Sequence, residues 1–177
     1  MRALPAAVRG DPLKLTPGGA FPDLDLPDHT GRDRRLSEIA GGDPLVVLFS
    51  RGWWCPKEQR HLREMTALQD EFEVAYTRLV VVSVDVPEVQ SAFRAGLGAR
   101  FVFLSDAERR WLGLLGLLEE TDTLHDPYRP TAFSLFPDLT IHSAYDGNWY
   151  WGRPTAEDLR RDMRAISRAV REDFDRR

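Results

Sequence analysis

Apolar runs alternate with amphipathic segments through the middle of this chain. The runs are continuous, which predicts strands buried on both faces, and they lie at residues 44–50, 78–85 and 101–106. The segments that follow them predict helices, at residues 56–73, 87–98 and 107–118. In the first of these helices, apolar residues recur every three or four positions from Leu62 to Phe72. This alternation is typical of an α/β fold.

The segments on either side predict two hairpins and a final helix. Residues 20–36 alternate apolar and polar positions around a turn, which predicts a short hairpin, and a brief helix follows at 36–42. A second hairpin is predicted at 129–146. Thr155 and Asp158 indicate a capping box at the start of a helix that runs to about residue 173. The pattern predicts an α/β sandwich whose central mixed β-sheet is flanked by helices on both faces.

Composition restricts the function classes that this chain can serve. Its 177 residues suit one domain, predicted at 14–177, after a flexible N-terminal arm at 1–13 that has prolines and no periodicity. A net charge of −4 lacks the basic excess of a nucleic-acid-binding protein. No segment reaches the ~20 apolar residues of a membrane span, and no signal-peptide pattern is present. We therefore expect neither nucleic acid nor membrane as a partner.

The cysteine count bears on compartment and chemistry. Cys55 is the only cysteine, so an internal disulfide is impossible, and we expect a reduced, cytoplasmic protein. The four histidines are scattered without metal-ligand spacing, and no glycine-rich phosphate loop occurs. The sequence therefore predicts no metal and no cofactor.

Cys55 lies at the junction between a buried strand and the helix that Pro56 opens. At such a junction, unpaired backbone N–H groups and the helix dipole stabilise a thiolate, and Arg51 and Lys57 add to this effect. Glu58, one turn along the helix, is expected to oppose ionisation. We expect a partly exposed, reactive sulfur at the amino end of the helix. The alternative is that Cys55 is a small buried apolar residue.

Residues 21–56 resemble the N-terminal half of redoxin domains, which comprise peroxiredoxins of the alkyl hydroperoxide reductase/thiol-specific antioxidant type and their thioredoxin-like relatives. The resemblance is carried by Phe21-Pro22-Asp23, the Gly31 turn, the Leu36-Ser37 helix start and a strand followed by Trp54-Cys55-Pro56. With similar segments downstream, it covers about residues 15–170. It implies a thioredoxin-like fold in which Cys55 is the nucleophilic thiol.

The chain departs from the family's pattern before and after Cys55. Typical peroxiredoxins have Pro seven residues and Thr or Ser three residues before the reactive cysteine, where this chain has Leu48 and Gly52. The segment RGWWCPKE is closer to a subgroup with the signature RGxWCPxC, whose second cysteine resolves the oxidised first. That position holds Glu58. Turnover through a disulfide would therefore require a thiol from outside the chain.

The resemblance also implies roles for a second segment. Pro130 is expected to be a cis-proline that faces the cysteine, with the Arg129–Pro130 peptide in side-chain contact with Cys55. Arg129 is expected to stabilise a thiolate or a bound anion; a surface arginine is the alternative. The residues expected to form the substrate site are Gly52, Trp53, Trp54, Glu58 and Pro130. A second aromatic cluster either adds to the rim of this site or covers the core, and it consists of Trp149, Tyr150 and Trp151.

Residues and resemblance imply a thiol-dependent oxidoreductase of the peroxiredoxin-like type. Cys55 would attack a peroxide or a disulfide, and an external thioredoxin- or glutathione-like thiol would act as the reductant. Two alternatives stay open: a monothiol transferase, and a redox-silent thioredoxin-fold binding module that uses the aromatic rim. A homodimer also stays open, since the sequence specifies no interface.

Overall fold

The computed structural model describes residues 13, 15–148 and 151–171. Apart from Leu13, the predicted arm at 1–13 lies outside the described residues, as do Trp149 and Tyr150 of the second aromatic cluster. The strands are β1 (Asp25–Pro27), β2 (Asp33–Arg35), β3 (Leu45–Phe49), β4 (Arg78–Ser83), β5 (Val102–Ser105), β6 (Thr131–Leu135) and β7 (Ile141–Asp146). The helices are α1 (Leu36–Ala40), α2 (Pro56–Ala67), α3 (Gln69–Val74), α4 (Pro87–Leu97), α5 (Arg110–Leu115) and α6 (Ala156–Val170).

The central sheet has five strands in the order β5-β4-β3-β6-β7. Strands β3, β4 and β5 are parallel, whereas β6 pairs antiparallel with both β3 and β7. The predicted mixed sheet is therefore confirmed. The predicted N-terminal hairpin is the separate two-stranded pair of β1 and β2.

Apolar side chains on the two faces of β3 enter two different cores. Val47 and Phe49 join the core that includes residues of α1 and α5, whereas Val46 and Leu48 join the core that includes residues of α2 and α6. All five residues of β3 are buried, as expected for a central strand with helices on both faces. The predicted flanking of the sheet on both faces is confirmed.

Two predicted helices differ from the observed ones. The helix predicted at 56–73 is broken at Leu68, whose N–H bonds to Met65 in a tighter turn, yet Leu68 and Phe72 both stay buried. The helix predicted at 107–118 shortens to α5, because the Asp106 carboxylate accepts the N–H groups of residues 110–112 and so fixes where the helix begins.

The last helix begins as predicted. Thr155 and Asp158 exchange side-chain and backbone hydrogen bonds in a complete capping box. Within the described residues, no helix is both long and apolar enough to cross a membrane.

Candidate active site

Cys55 lies directly before α2, at the end of the loop that follows β3. It is the N-cap residue, and Pro56 takes the first helical position, where its missing N–H costs no hydrogen bond. The Cys55 side chain is at the predicted helix start, but the prediction of partial exposure is wrong, because the residue is only 2% exposed. The local sequence around Cys55 does not report this burial, because it depends on how distant segments pack.

A buried arginine lies beside the sulfur. The Arg51 Nη1 atom is 3.8 Å from the Cys55 Sγ atom, and the Arg51 residue is 8% exposed. The guanidinium also lies 5.0 Å from the centre of the Trp54 ring, within the range of a cation–π contact. The structure therefore places a positive charge beside the sulfur, as the sequence position of Arg51 predicted.

A loop far along the chain completes the surroundings of Arg51. Asp122, between α5 and β6, accepts a hydrogen bond from Arg51 Nη2 at 2.7 Å. The His125 Nδ1 atom lies 3.1 Å from each Asp122 carboxylate oxygen, and the His125 ring stacks on Trp54 at 3.6 Å. In the sequence, His125 is one of four scattered histidines. No local pattern marks these residues, because they reach Arg51 and Trp54 only through long-range folding.

Gly52 is required by the close packing of the turn before Cys55. Its φ of 134° lies where side chains are rarely tolerated. A Cβ atom there would lie 2.7 Å from the Trp54 indole nitrogen and 3.2 Å from an Asp85 carboxylate oxygen. The family's hydroxyl-bearing residue therefore cannot stand at this position without a change in the backbone.

Asp85, just beyond β4, holds the next residue of this turn. Its Oδ2 atom accepts the Trp53 N–H at 3.0 Å and the Ser83 hydroxyl at 3.0 Å. Burial raises the pKa of the Asp85 carboxyl above its ordinary value of 3.8, and these hydrogen bonds offset the rise only in part. The Trp53 side chain is half exposed and lines a groove of about 530 Å³ with residues of α4.

Asp85→Asn is expected to raise the free energy of unfolding at about pH 7 and to change it little at about pH 4. Because the pKa of Asp85 is raised in the folded protein, its protonated carboxyl contributes most stability below pH 3.8, and that stability is lost as the pH rises through the folded pKa. The asparagine oxygen can keep both hydrogen bonds. Urea unfolding of both proteins at the two pH values measures the difference, and a gain that is equal at both would contradict the assignment.

Arg129, the arginine expected beside Cys55, forms an ion pair with a residue of β7. Arg129 Nε donates to the Asp146 carboxylate at 2.7 Å, and its backbone N–H donates to Leu117. The prediction of a cis bond before Pro130 is wrong, since the described residues contain no cis peptide bond. Phe49 and Thr131 are paired across β3 and β6, so Pro130 does lie at the same sheet edge as the cysteine loop. Arg51 supplies a positive charge 3.8 Å from the Cys55 sulfur.

Glu58 lies inside the protein, paired with an arginine. It is 2% exposed, and its carboxylate accepts a hydrogen bond from Arg153 Nε at 2.9 Å. His61, on the next turn of α2, lies 3.1 Å from the Pro154 carbonyl oxygen through Nε2, and burial lowers the pKa of its imidazole. These two contacts hold the first turns of α2 against residues 153–154.

The family match decides where this chain belongs. A model described as the AhpC/TSA family matches residues 17–143. The chain is a member of the AhpC/TSA family. The matched part of this AhpC/TSA protein contains Arg51, Cys55, Asp122 and His125, whereas Arg153 lies beyond it.

Individual relatives agree with this membership. A curated protein of Mycobacterium tuberculosis with a peroxiredoxin name is 33% identical over 94 residues, which are 51% of this chain and 59% of that protein. The AhpC/TSA chain therefore spans a little over half of the length of that relative.

Solved structures show the same thioredoxin-like fold. Peroxidoxin BcpB of Mycobacterium tuberculosis has a TM-score of 0.73 at 23% identity, covering 89% of this chain and 99% of its own. Reduced Prx3 of Vibrio vulnificus, in complex with H2O2, has a TM-score of 0.75 at 18% identity, covering 84% and 99%. At these identities the likeness establishes the fold of this AhpC/TSA protein, and its chemistry has to be argued from its own site.

Proposed function

We propose that this AhpC/TSA protein is a peroxiredoxin-like thiol peroxidase that works with a single cysteine. The observation that carries the proposal is the Arg51 guanidinium 3.8 Å from a sulfur at the start of α2. The helix start and the cation both favour a thiolate, which is the nucleophilic form of cysteine.

In the proposed oxidation, the Cys55 thiolate attacks the terminal oxygen of a peroxide ROOH. The O–O bond breaks as the S–O bond forms, and a proton reaches the departing oxygen, so the products are a sulfenic acid and ROH. Sulfur is oxidised and the peroxide is reduced. Negative charge develops on the departing oxygen, and a fixed donor close to it stabilises the transition state.

Arg51 is the proposed donor to the reacting oxygens. Its Nη1 and Nη2 atoms face Cys55 and Asp122, whereas its Nε atom is buried without a hydrogen-bond partner among the described residues. The Nε–H group is therefore available to donate to a substrate oxygen. In this proposal Arg51 serves in place of the hydroxyl that Gly52 lacks. Trp54 and Pro130 form the sides of the substrate site.

The return to the thiol needs two molecules of an external thiol. The first attacks the sulfenic sulfur and releases water, which leaves a mixed disulfide on Cys55; the second attacks that disulfide and releases an oxidised small disulfide. Because Cys55 is 2% exposed, we propose a small glutathione-like reductant in a reduced cytoplasm.

Stopped-flow consumption of hydrogen peroxide, with intact-mass detection of the oxidised protein, tests the function. We expect rapid uptake of one oxygen atom per chain, and no uptake in the matched variant Cys55→Ser. Adding glutathione should restore the original mass. A wild-type protein that does not react with millimolar peroxide would contradict the proposal. Disulfide exchange without peroxide consumption would then indicate a monothiol transferase. The absence of both reactions would indicate a binding module.

A further inference from the structure

The residues that hold Arg51 come from one loop, which also packs on Trp54, next to Cys55 in the chain. The Asp122 carboxylate accepts a hydrogen bond from Arg51 Nη2 at 2.7 Å, and the His125 ring stacks on Trp54, the residue directly before Cys55. The loop therefore touches the cysteine segment at a charged side chain and at an aromatic ring. Both are contacts between side chains, separate from the backbone hydrogen bonds that pair the strands.

The Asp122 carboxylate is itself held rigidly. Its Oδ1 atom accepts the backbone N–H groups of Leu124 and His125 at 3.2 and 3.1 Å, and both carboxylate oxygens lie 3.1 Å from His125 Nδ1. Burial alone would raise the pKa of Asp122, but these hydrogen bonds outweigh burial and lower it. A carboxylate fixed and ionised in this way gives the long Arg51 side chain one preferred orientation.

We propose that Asp122 and His125 are positioning residues that set the reactivity of Cys55 by holding Arg51 and Trp54 against it. This inference rests on the thiolate chemistry proposed above for Cys55. Asp122 acts through the guanidinium of Arg51. His125 acts by orienting the Asp122 carboxylate and by packing on the indole of Trp54.

The Asp122 carboxylate has two opposite effects on a thiolate. Its negative charge disfavours a second negative charge nearby, whereas its hydrogen bond keeps the positive charge of Arg51 beside the sulfur. Arg51 is the closer of the two to Cys55, at 3.8 Å, and it lies between the sulfur and Asp122. The positioning effect should therefore exceed the repulsion.

The test is the rate of Cys55 alkylation by iodoacetamide as a function of pH, which requires no peroxide. Asp122→Ala is expected to slow alkylation at pH 7 by roughly three- to thirty-fold and to move the midpoint of the pH–rate profile upward. Asp122→Asn keeps an acceptor for Arg51 and is expected to restore most of the rate. Leu124→Ala is the matched control, because this side chain in the same loop is 83% exposed.

His125→Phe provides a second measurement in case Asp122→Ala fails to fold. Phenylalanine keeps the stack on Trp54 but removes the contact with the carboxylate, so we expect a smaller rate loss and a midpoint shift in the same direction. The profile of the wild type also reflects the titratable and charged side chains on the elements around Cys55, which include Arg51, Lys57, Glu58, His61, Asp85, Asp122, His125 and Arg153.

The outcomes separate this inference from the proposed function. An unchanged midpoint in Asp122→Ala and His125→Phe would overturn the positioning role and leave the loop with a purely structural one. Faster alkylation in both Asp122 variants would overturn it too, since repulsion would then dominate. If the expected shifts appear but the wild type consumes no peroxide, the positioning role stands and the peroxidase proposal fails.

Discussion

Arg51→Met is expected to slow the reaction of Cys55 with hydrogen peroxide by roughly ten- to a hundred-fold at pH 7. The substitution removes the positive charge 3.8 Å from the sulfur and the donor proposed for the reacting oxygens. Methionine keeps much of the apolar stem of arginine, so the fold should persist. Stopped-flow kinetics of the pre-reduced protein measure the loss directly.

Removing Arg51 also leaves the Asp122 carboxylate without its cation, and that charge alone could slow the reaction. The double variant Arg51→Met/Asp122→Asn removes both charges and separates the two effects. We expect it to remain slow, because the positive charge is still missing. Arg51→Lys should be intermediate, since lysine keeps the charge but cannot reach Cys55 and Asp122 with a planar fork. A double variant as fast as wild type would exclude Arg51 from the chemistry.

Glu58→Gln is expected to lower the free energy of unfolding by about 3 kcal/mol, the size typical of breaking a buried ion pair from one side. Glu58 is 2% exposed and the Arg153 side chain 12% exposed, so the arginine charge loses its carboxylate partner where water reaches it poorly. Urea unfolding at neutral pH measures the change.

A pair on the same helix provides the matched control. Arg60 and Glu64 are 84% and 53% exposed, so Glu64→Gln should cost less than about 0.5 kcal/mol. The double variant Glu58→Leu/Arg153→Met removes both buried charges and should recover most of the stability. Equal small losses in Glu58→Gln and Glu64→Gln would show that the buried pair contributes no more than a surface one.

The strands and the start of the last helix were predictable because the sequence patterns that indicate them are local. The continuous apolar run of β3 reports burial on both faces, and Thr155 with Asp158 forms a capping box within a single turn. The break at Leu68 was not predictable, because the apolar period continues through it.

The site was predictable only where its residues are close together in the sequence. The position of Cys55 at a helix start follows from the sequence around it, and Arg51 is close enough along the chain to be considered. Asp122 joins Arg51 across 71 positions, and Glu58 joins Arg153 across 95. Which charges meet at such distances depends on the packing of whole elements, so the pairing of Glu58 and the role of the 122–125 loop could not be predicted.

The near-complete burial of Cys55 also determines what would follow its oxidation in the proposed peroxidase. A sulfenic acid at this sulfur is sheltered from large molecules, so its lifetime depends on how often a small thiol enters the site. If another peroxide molecule reaches the sulfenic acid before a small thiol does, the sulfur is oxidised to a sulfinic acid, which ordinary thiols do not reduce. The fraction of chains that carry this sulfinic acid therefore increases with the ratio of peroxide to small thiols to which the protein has been exposed.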